Sequence, residues 1–483
     1  MREKICVILL LTLLILSNLV VTAEKQLSNV NLQGKHERLI SDEKQIKVAV
    51  VGDILMARNV QLSAARLMNT SITDPYLRVA SGFEQLFSKE IIENISSADI
   101  AFGNLEEPIA EGLSEQWYFD ENGRPLCKNI SVEPGVLYDG KAYKYNPMGI
   151  MNAHPALALA LKNIGFDIVS TANNHFANRA SNGIDSTIDS LRKANLSYVG
   201  TLKYDEIIDE NDDGYPDNVP YIIKEVEGVK IAFLAFTSPM NHIVLGFQLL
   251  PVFLGKLPKA DTFCSRQAYS ILSNNAPIEF NIRNFCNWIE KAKNVSDIVI
   301  VSTHFGICLM HEPSYLQRKI AQRFLESGAD VIVGTGPHVL QPIETYDLAD
   351  GRKAFVIYSL GNFVTNGGCE QKGMSNELVA VMGFINIIKD TNGNISVNNV
   401  SYIPTFSYEN SEKITQVVVA KGPDFKKTLG IIQKVFEGNK IDRLILSQFY
   451  LSRVPRKRIL IRDDMLLERW ILARWKIEEK LGD

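Results

Sequence analysis

Continuous hydrophobic runs alternate along this chain with segments in which apolar residues recur every three or four positions. The run at residues 231–236 contains only apolar side chains, which is typical of a strand buried on both faces. The segment 184–194 instead places Ile184, Ile188 and Leu191 on one face of a helix. Buried strands that alternate with helices predict an α/β fold built in layers.

The same patterns predict further elements. Strands are expected at residues 45–51, 98–102, 166–170, 198–200, 231–236, 297–302, 331–334 and 354–359. Helices are expected at residues 88–97, 155–164, 184–194, 282–293 and 316–327. Residues 112–145 are rich in Gly, Pro, Tyr and charge, and they predict a long surface loop.

The pattern changes beyond about residue 411. Helical segments at 425–437 and 441–451 precede a basic stretch and an amphipathic helix that carries Trp470 and Trp475. This C-terminal helical extension, 411–483, either packs on the main domain or offers a basic, aromatic surface to anionic polymer or lipid headgroups. The main domain is expected at residues 46–410, preceded by a flexible polar leader at 24–45.

The first residues indicate export. Arg2 and Lys4 precede an apolar run that reaches Val21, and the small residues up to Ala23 suit signal peptidase. Residues 1–23 therefore predict a cleaved signal peptide. The alternative is an uncleaved membrane anchor, because the apolar run is nearly long enough to span a bilayer.

Composition narrows the class of function. The 483 residues are 46% hydrophobic and 22% charged, which is ordinary for a folded globular protein. A net charge of −4, with no long basic stripe before the C-terminal extension, argues against nucleic-acid binding. Without Cys6 the chain keeps an odd number of cysteines and no C-x-x-C spacing, so no disulfide framework is predicted.

Polar side chains stand where several predicted strands end. These residues are Asp53, Glu106, Asn174 with His175, His304 and His338. The ends of parallel strands lie side by side, so these side chains are expected to converge in one crevice. Carboxylate, imidazole and amide groups can bind Zn, Mn or Fe. Each residue alone has another explanation, as a helix cap or a core histidine.

Six ordered motifs between residues 46 and 365 make the resemblance to a known family specific. They read V-G-D-I-L-M-A-R (51–58), G-N-L-E-E-P-I (103–109), A-N-N-H (172–175), T-H-F-G (303–306), G-T-G-P-H-V-L-Q-P-I-E (334–344) and Y-S-L-G-N-F-V (358–364). The chain resembles the CapA/PgsA-type poly-γ-glutamate and capsule biosynthesis proteins. The resemblance implies a calcineurin-like metallophosphatase fold, a β-sandwich flanked by helices, on the outer face of a bacterial membrane.

The resemblance also implies roles for residues. Asp53, Glu106, Asn174, His304 and His338 would hold one or two divalent ions of Mn, Zn or Fe, and His175 would protonate a leaving group. Asn104 is an alternative to Glu106 as the bridging position. The residues expected to contact substrate are Arg58, Asn104, Asn173 and Asn362.

The chain departs from the family pattern at several positions. Leu55 stands where the wider metallophosphatase scheme has a metal-binding His, and Gly336 replaces the first His of a Gly-x-His-Pro-His motif. Cys308 replaces an acidic residue, and Asn178 and Ala180 replace an Asp and a Gly. Three protein ligands plus water can hold a catalytic metal. A weak, single-metal or inactive site is equally compatible.

An acidic segment resembles the beginning of a calcium loop. Oxygen-bearing side chains occupy its first, third, fifth and ninth positions, at Asp209, Asn211, Asp213 and Asp217. Pro220 stands where a bidentate acid is expected, and no flanking helices are predicted. The two interpretations are a structural calcium site and an acidic turn.

These observations predict an exported bacterial protein that hydrolyses a phosphoester, or a bond of an anionic cell-surface polymer, with help from a metal. Its expected partners are that polymer and membrane-bound polymer synthase subunits. A second hypothesis is a non-catalytic assembly factor that binds the polymer on the same fold. A third is a secreted phosphatase without a polymer role.

Overall fold

A computed structural model describes residues 43–132, 137, 151–210, 216–238, 267–269, 278–366, 376–420 and 422–436. The predicted signal peptide, nearly all of the leader and residues 437–483 lie outside these ranges. None of the helices in the described part of the chain has the length and apolarity needed to cross a membrane.

Sixteen strands are present in the described ranges. They are β1 (Lys44–Ile54), β2 (Ile100–Leu105), β3 (Leu113–Phe119), β4 (Pro125–Asn129), β5 (Ile168–Ser170), β6 (Ser197–Val199), β7 (Tyr221–Val226), β8 (Val229–Thr237), β9 (Ile298–His304), β10 (Val331–Thr335), β11 (Leu340–Asp347), β12 (Lys353–Leu360), β13 (Asn362–Val364), β14 (Val379–Lys389), β15 (Ile395–Glu409) and β16 (Thr415–Val419). The helices described are α1 (Arg58–Leu67), α2 (Pro75–Glu84), α3 (Lys89–Ser96), α4 (Ala156–Asn163), α5 (Ala180–Lys193), α6 (Ile278–Val295), α7 (Tyr315–Glu326) and α8 (Gly422–Phe436).

The strands form two large sheets and one hairpin. The first sheet has the order β16-β15-β14-β1-β2-β5-β6, with β13 also paired to β1. Its strands β1, β2, β5 and β6 run parallel to one another. The second sheet has the order β11-β12-β10-β9-β8-β7, with parallel strands inside and antiparallel strands at both edges. Strands β3 and β4 pair with each other in a separate two-stranded sheet.

The two sheets pack face to face through alternate residues of their strands. Val48 and Val50 of β1 belong to the same buried cluster as Ile231 and Phe233 of β8. The Phe102 ring of β2 stacks on that of Phe233, with centroids 5.7 Å apart. These contacts confirm a sandwich of two sheets.

Helices cover the outer face of each sheet. Apolar residues of α1–α4 pack on the outer side of β1 and β2, where Ala49, Val51 and Ala101 point. Helices α6 and α7 pack through Phe285, Phe324 and their neighbours on the second sheet. The predicted α/β class, a β-sandwich flanked by helices, is therefore confirmed.

Two of the differences from the pattern-based prediction concern the predicted surface loop and the domain boundary. Residues 113–129 form the β3–β4 hairpin inside the predicted surface loop, turning at Gly123 with a φ of +78°. Strand β16 lies beyond residue 410, where we place the domain boundary, and it pairs with β15 from Thr405↔Val419 to Glu409↔Thr415. The first sheet thus extends past that boundary, because β16 completes its edge.

Candidate metal centre

The carboxyl ends of β1 and β2 bring Asp53 and Asn104 together. These two residues are direct partners in the parallel register of the strands, and both side chains are buried. Asn104 Nδ2 donates to Asp53 Oδ1 at 2.8 Å. Glu106, just beyond the end of β2, is fully buried as well. The first sheet therefore supplies two acidic side chains at one edge of the sandwich.

The second sheet supplies His304 to the same place. His304 ends β9 and is paired in register with Thr335, the last residue of β10. Its Nδ1 lies 3.0 Å from Thr335 Oγ1 and 3.4 Å from Asn104 Nδ2. Its Nε2 lies 3.7 Å from Glu106 Oε1. The imidazole thus bridges the two sheets.

Asp53, Glu106 and His304 form a group suited to a metal ion. One ligand atom from each lies within 4.8 Å of the other two, and all three residues are buried. Two carboxylate oxygens and one imidazole nitrogen are donors that Zn, Mn and Fe accept. Buried carboxylates at this separation repel each other unless a cation or hydrogen bonds offset their charge. The donor set therefore fits a divalent metal.

His338 lies against the same carboxylates. Its Nδ1 is 3.3 Å from Asp53 Oδ2 and 2.9 Å from Asn362 Oδ1, and its Nε2 is 3.6 Å from Glu106 Oε1. The residue has a φ of +61°, an uncommon conformation for a side chain with a Cβ atom. Such strain persists only where surrounding contacts hold it, and it is found at functional sites.

The electrostatics favour ligand-competent forms. Burial raises the pKa of Asp53, but the hydrogen bond and charge of His338, with help from His304 and Asn104, outweigh it and bring the pKa below 3.8. Burial lowers the pKa of His304 to about 3 and that of His175 to about 4. At neutral pH the centre therefore contains an ionised Asp53 and neutral His304 and His175 imidazoles, which are the forms that bind metals.

The segment after β5 lies beside this group. Asn173 is buried, and its Nδ2 donates to Leu105 O at 2.7 Å and to Asn104 Oδ1 at 3.3 Å. Its Oδ1 accepts the His175 backbone N–H at 3.0 Å. Asn174 is half-buried. Asn173 thus connects the end of β2 to His175.

The residues predicted to contact substrate occupy two kinds of position. Asn104, Asn173 and Asn362 are buried and hydrogen-bonded to other residues of the centre, which suits side chains that orient ligands. Arg58 is exposed at the first position of α1. Their contact with substrate stays a prediction.

The acidic segment is described only in part. Asn211 and Asp213 lie outside the described residues. Asp217 Oδ2 accepts the Glu210 backbone N–H at 2.8 Å, and Asp209 is half-buried. Calcium binding there stays a prediction.

Three contacts that support the metal centre were not predicted from the sequence. Thr335 contacts His304, Asn178 Oδ1 lies 2.7 Å from His175 Nδ1, and the Gly336 backbone N–H points at Asp53 Oδ2 at 3.4 Å. All three residues lie within or just after one of the six motifs, and that position is the feature of the sequence that could have pointed to them. Their roles depend on contacts across strands and turns that spacing alone does not specify.

Family comparisons agree with the motifs. Residues 132–367 match the model of the bacterial capsule synthesis protein PGA_cap. The chain is 25% identical over 328 residues to the capsule biosynthesis protein CapA of Bacillus anthracis, and 26% identical over 329 residues to the PGA biosynthesis protein CapA of Bacillus subtilis. The predicted family resemblance is confirmed. The matched PGA_cap segment begins after Asp53 and Glu106, so the centre also uses residues outside it.

The extent of these matches is partial. The two CapA alignments cover 68% and 67% of this chain but only 61% and 64% of the relatives, so the chain spans about three fifths of their length. Among solved structures, NAD nucleotidase (NadN) of Haemophilus influenzae has a TM-score of 0.35 at 12% identity. The match covers 85% of this chain and 67% of the nucleotidase chain. A hypothetical protein from Thermus thermophilus has a TM-score of 0.34 at 14% identity, covering 74% and 98% respectively.

Proposed function

We propose that this chain is an exported protein of the CapA type that uses a buried divalent metal to hydrolyse a phosphoester or a bond of an anionic cell-surface polymer. The observation that supports this most directly is the buried group of Asp53, Glu106 and His304, whose ligand atoms lie within 4.8 Å of one another. A buried cluster of two acids and an imidazole is costly to maintain without a cation, which argues for a functional reason.

The roles follow from the contacts. Asp53, Glu106 and His304 would hold the ion, with His338 and Asn174 as further ligands and Asn104 orienting Asp53. A bound Mn, Zn or Fe ion would polarise a phosphoryl or carbonyl oxygen and lower the pKa of a bound water. His175 is held at the same crevice through Asn173 and would transfer a proton as acid or base.

The setting belongs to the same proposal. Export to the outer face of a bacterial envelope is supported by the N-terminal signal-like segment, and the basic C-terminal segment supports contact with an anionic polymer or with lipid headgroups. Membrane-bound polymer synthase subunits are the partners that such a role requires.

The proposal is tested by turnover of a generic phosphodiester, bis(p-nitrophenyl) phosphate, by the full chain supplied with Mn, Zn or Fe. We expect metal-dependent hydrolysis that falls about 100-fold or more in His175→Ala. His154→Asn is the matched control, because His154 is a buried histidine whose Nδ1 contacts the start of α4. Equal rates in the parent and His175→Ala would contradict the catalytic role.

A non-catalytic assembly factor is the second candidate, and two positions favour it. Leu55 and Gly336 lack the metal-binding side chains that the family resemblance implies there. Leu55 is buried, and its backbone N–H donates to Val364 O at 3.1 Å. Polymer binding that survives both His175→Ala and chelation, with no turnover, would support this candidate over hydrolysis.

A further inference from the structure

Asn178 lies between a backbone donor and the His175 ring. It is 1% exposed, and its Oδ1 accepts the Met151 backbone N–H at 2.9 Å. The same oxygen lies 2.7 Å from His175 Nδ1. The Asn178 backbone N–H in turn donates to His175 O at 2.9 Å. Asn178 is therefore fixed by hydrogen bonds of both its side chain and its backbone.

The Met151 N–H decides which way the amide points. A backbone N–H can only donate, so the Asn178 atom that faces it must be the carbonyl oxygen and not the NH₂ group. An amide flipped by 180° would set two donors against each other in a buried place, which is unfavourable. The orientation of Asn178 thus follows from chemistry that does not depend on the histidine.

The orientation of the amide decides the tautomer of the histidine. An amide oxygen can only accept, so at 2.7 Å the His175 Nδ1 must carry the hydrogen. In a neutral ring the other nitrogen, Nε2, then has a lone pair and no hydrogen. Because Nδ1 faces Asn178, Nε2 lies on the side of the ring away from it.

We propose that Asn178 is a positioning residue that fixes His175 in its Nδ1–H tautomer, so that Nε2 is a hydrogen-bond and proton acceptor. In this state Nε2 can take a proton from a water or a substrate hydroxyl, but it has none to give to a leaving group. The consequence for catalysis rests on the proposed function: this tautomer would make His175 a base and not an acid. The tautomer itself does not depend on the proposed function.

The test is nitrogen NMR of the full, chelator-treated chain labelled with ¹⁵N-histidine. Two-bond ¹H–¹⁵N correlations distinguish a protonated ring nitrogen from a bare one. The chain has seven histidines, so the spectrum of His175→Gln identifies the signals of His175. We expect Nδ1 at the position of a protonated nitrogen and Nε2 at that of a bare one at neutral pH. The reverse assignment in the parent would overturn the proposal.

Three variants separate positioning from general structure. Asn178→Ala removes the acceptor, and we expect Nε2 to shift toward the protonated position. Asn178→Asp keeps an oxygen acceptor and should preserve the Nδ1–H signal. Asn182→Ala removes an amide from the adjacent helix α5, where it binds the Cys127 backbone, and should leave His175 unchanged.

Each outcome decides the proposal. An unchanged His175 spectrum in Asn178→Ala, or the same change in Asn182→Ala, would overturn it. If Asn178→Ala does not fold, the parent and Asn178→Asp still decide, because loss of Nδ1–H in the aspartate variant also contradicts it. The spectra need no substrate or metal, so an absence of turnover would refute the proposed function and leave this result standing.

Discussion

At the scale of single residues, Asp53 shows how opposing effects set the state of a metal ligand. Its complete burial favours the protonated acid, but contacts with His338, His304 and Asn104 together bring its pKa below the usual value. The carboxylate is therefore ionised before any metal arrives. The His304 and His175 imidazoles stay neutral because burial lowers their pKa.

Gly336 explains one departure from the family pattern in physical terms. Its φ is +108°, and a Cβ atom there would lie 3.0 Å from Phe305 O and 3.2 Å from His304 Nε2. A side chain at this position is strained and crowds a predicted ligand. The backbone of this chain thus favours glycine where the resemblance implies a histidine.

We therefore predict that Gly336→His, which restores the family residue, lowers the free energy of unfolding by about 1–3 kcal/mol. Chemical denaturation of the metal-free chain measures this change. Gly336→Ala is the matched control, since it adds the same Cβ atom and should account for most of the loss. If Gly336→His were as stable as the parent, the strain at this position would be disproved.

The meeting of side chains at strand ends was predictable from the sequence. Asp53 and His304 were predicted to meet because each ends a hydrophobic strand, and the structure brings them to 4.0 Å. Thr335 and Asn178 were missed because their roles come from pairing across strands and from one turn. Those contacts depend on register, which the hydrophobic pattern of one strand does not specify.

At the scale of elements, the β3–β4 hairpin is held on α5 by side chains of the helix. Asn182 accepts the Cys127 backbone N–H at 2.8 Å and donates to the Cys127 carbonyl at 2.9 Å. Arg124 of the hairpin loop forms an ion pair with Asp185 and donates to Ser181 Oγ at 2.7 Å. The hairpin was predicted as a loop because its Gly, Pro and charged residues obscure the alternation of a strand.

We predict that Asn182→Ala weakens this attachment by about 1–3 kcal/mol, since it removes two hydrogen bonds to a half-buried backbone. Protease cleavage within residues 113–129 should become about tenfold faster for each 1.4 kcal/mol lost from the local opening free energy. Asn163→Ala is the control, because that side chain binds Glu84 at the surface. Equal cleavage rates in parent and Asn182→Ala would show that the hairpin does not depend on α5.

The start of α4 gives a prediction about pH. His154 is 5% exposed, and its Nδ1 accepts the Ala156 backbone N–H at 3.1 Å. Burial lowers its pKa from 6.5 to about 4. The folded state therefore keeps the ring neutral at a pH where the unfolded chain protonates it, so stability is complete above pH 6.5 and is lost as the pH falls toward 4.

As the pH falls through that window, His154 should lower the free energy of unfolding by about 1.4 kcal/mol per pH unit. Between pH 6.5 and 5, we expect the free energy of unfolding of the parent to fall by about 2 kcal/mol more than that of His154→Asn, which keeps an acceptor. Denaturant titrations at both pH values measure the difference. Parallel pH dependence of the two proteins would contradict a neutral, buried His154.

At the scale of the whole molecule, the centre depends on the sandwich. The first sheet supplies Asp53 in β1 and Glu106 just after β2. The second supplies His304 at the end of β9 and His338 after β10. The layered α/β class was predictable because the central strands are continuously apolar. Strands β7, β11 and β14–β16 were not predicted. In β7 and β15 exposed residues interrupt the more buried ones, which weakens the hydrophobic pattern, whereas β14 is buried along most of its length and its apolar run was missed.

The central claim is that this two-sheet centre holds a divalent metal. Elemental analysis of the full chain after reconstitution with Mn, Zn or Fe tests it, beside an Asp53→Asn/His304→Ala double variant and His154→Asn as the control. We predict at least about one ion per chain in the parent and the control, and none in the double variant, because it loses two ligands of one group. A parent chain that stays metal-free after reconstitution, or a double variant that binds as much metal as the parent, would contradict it.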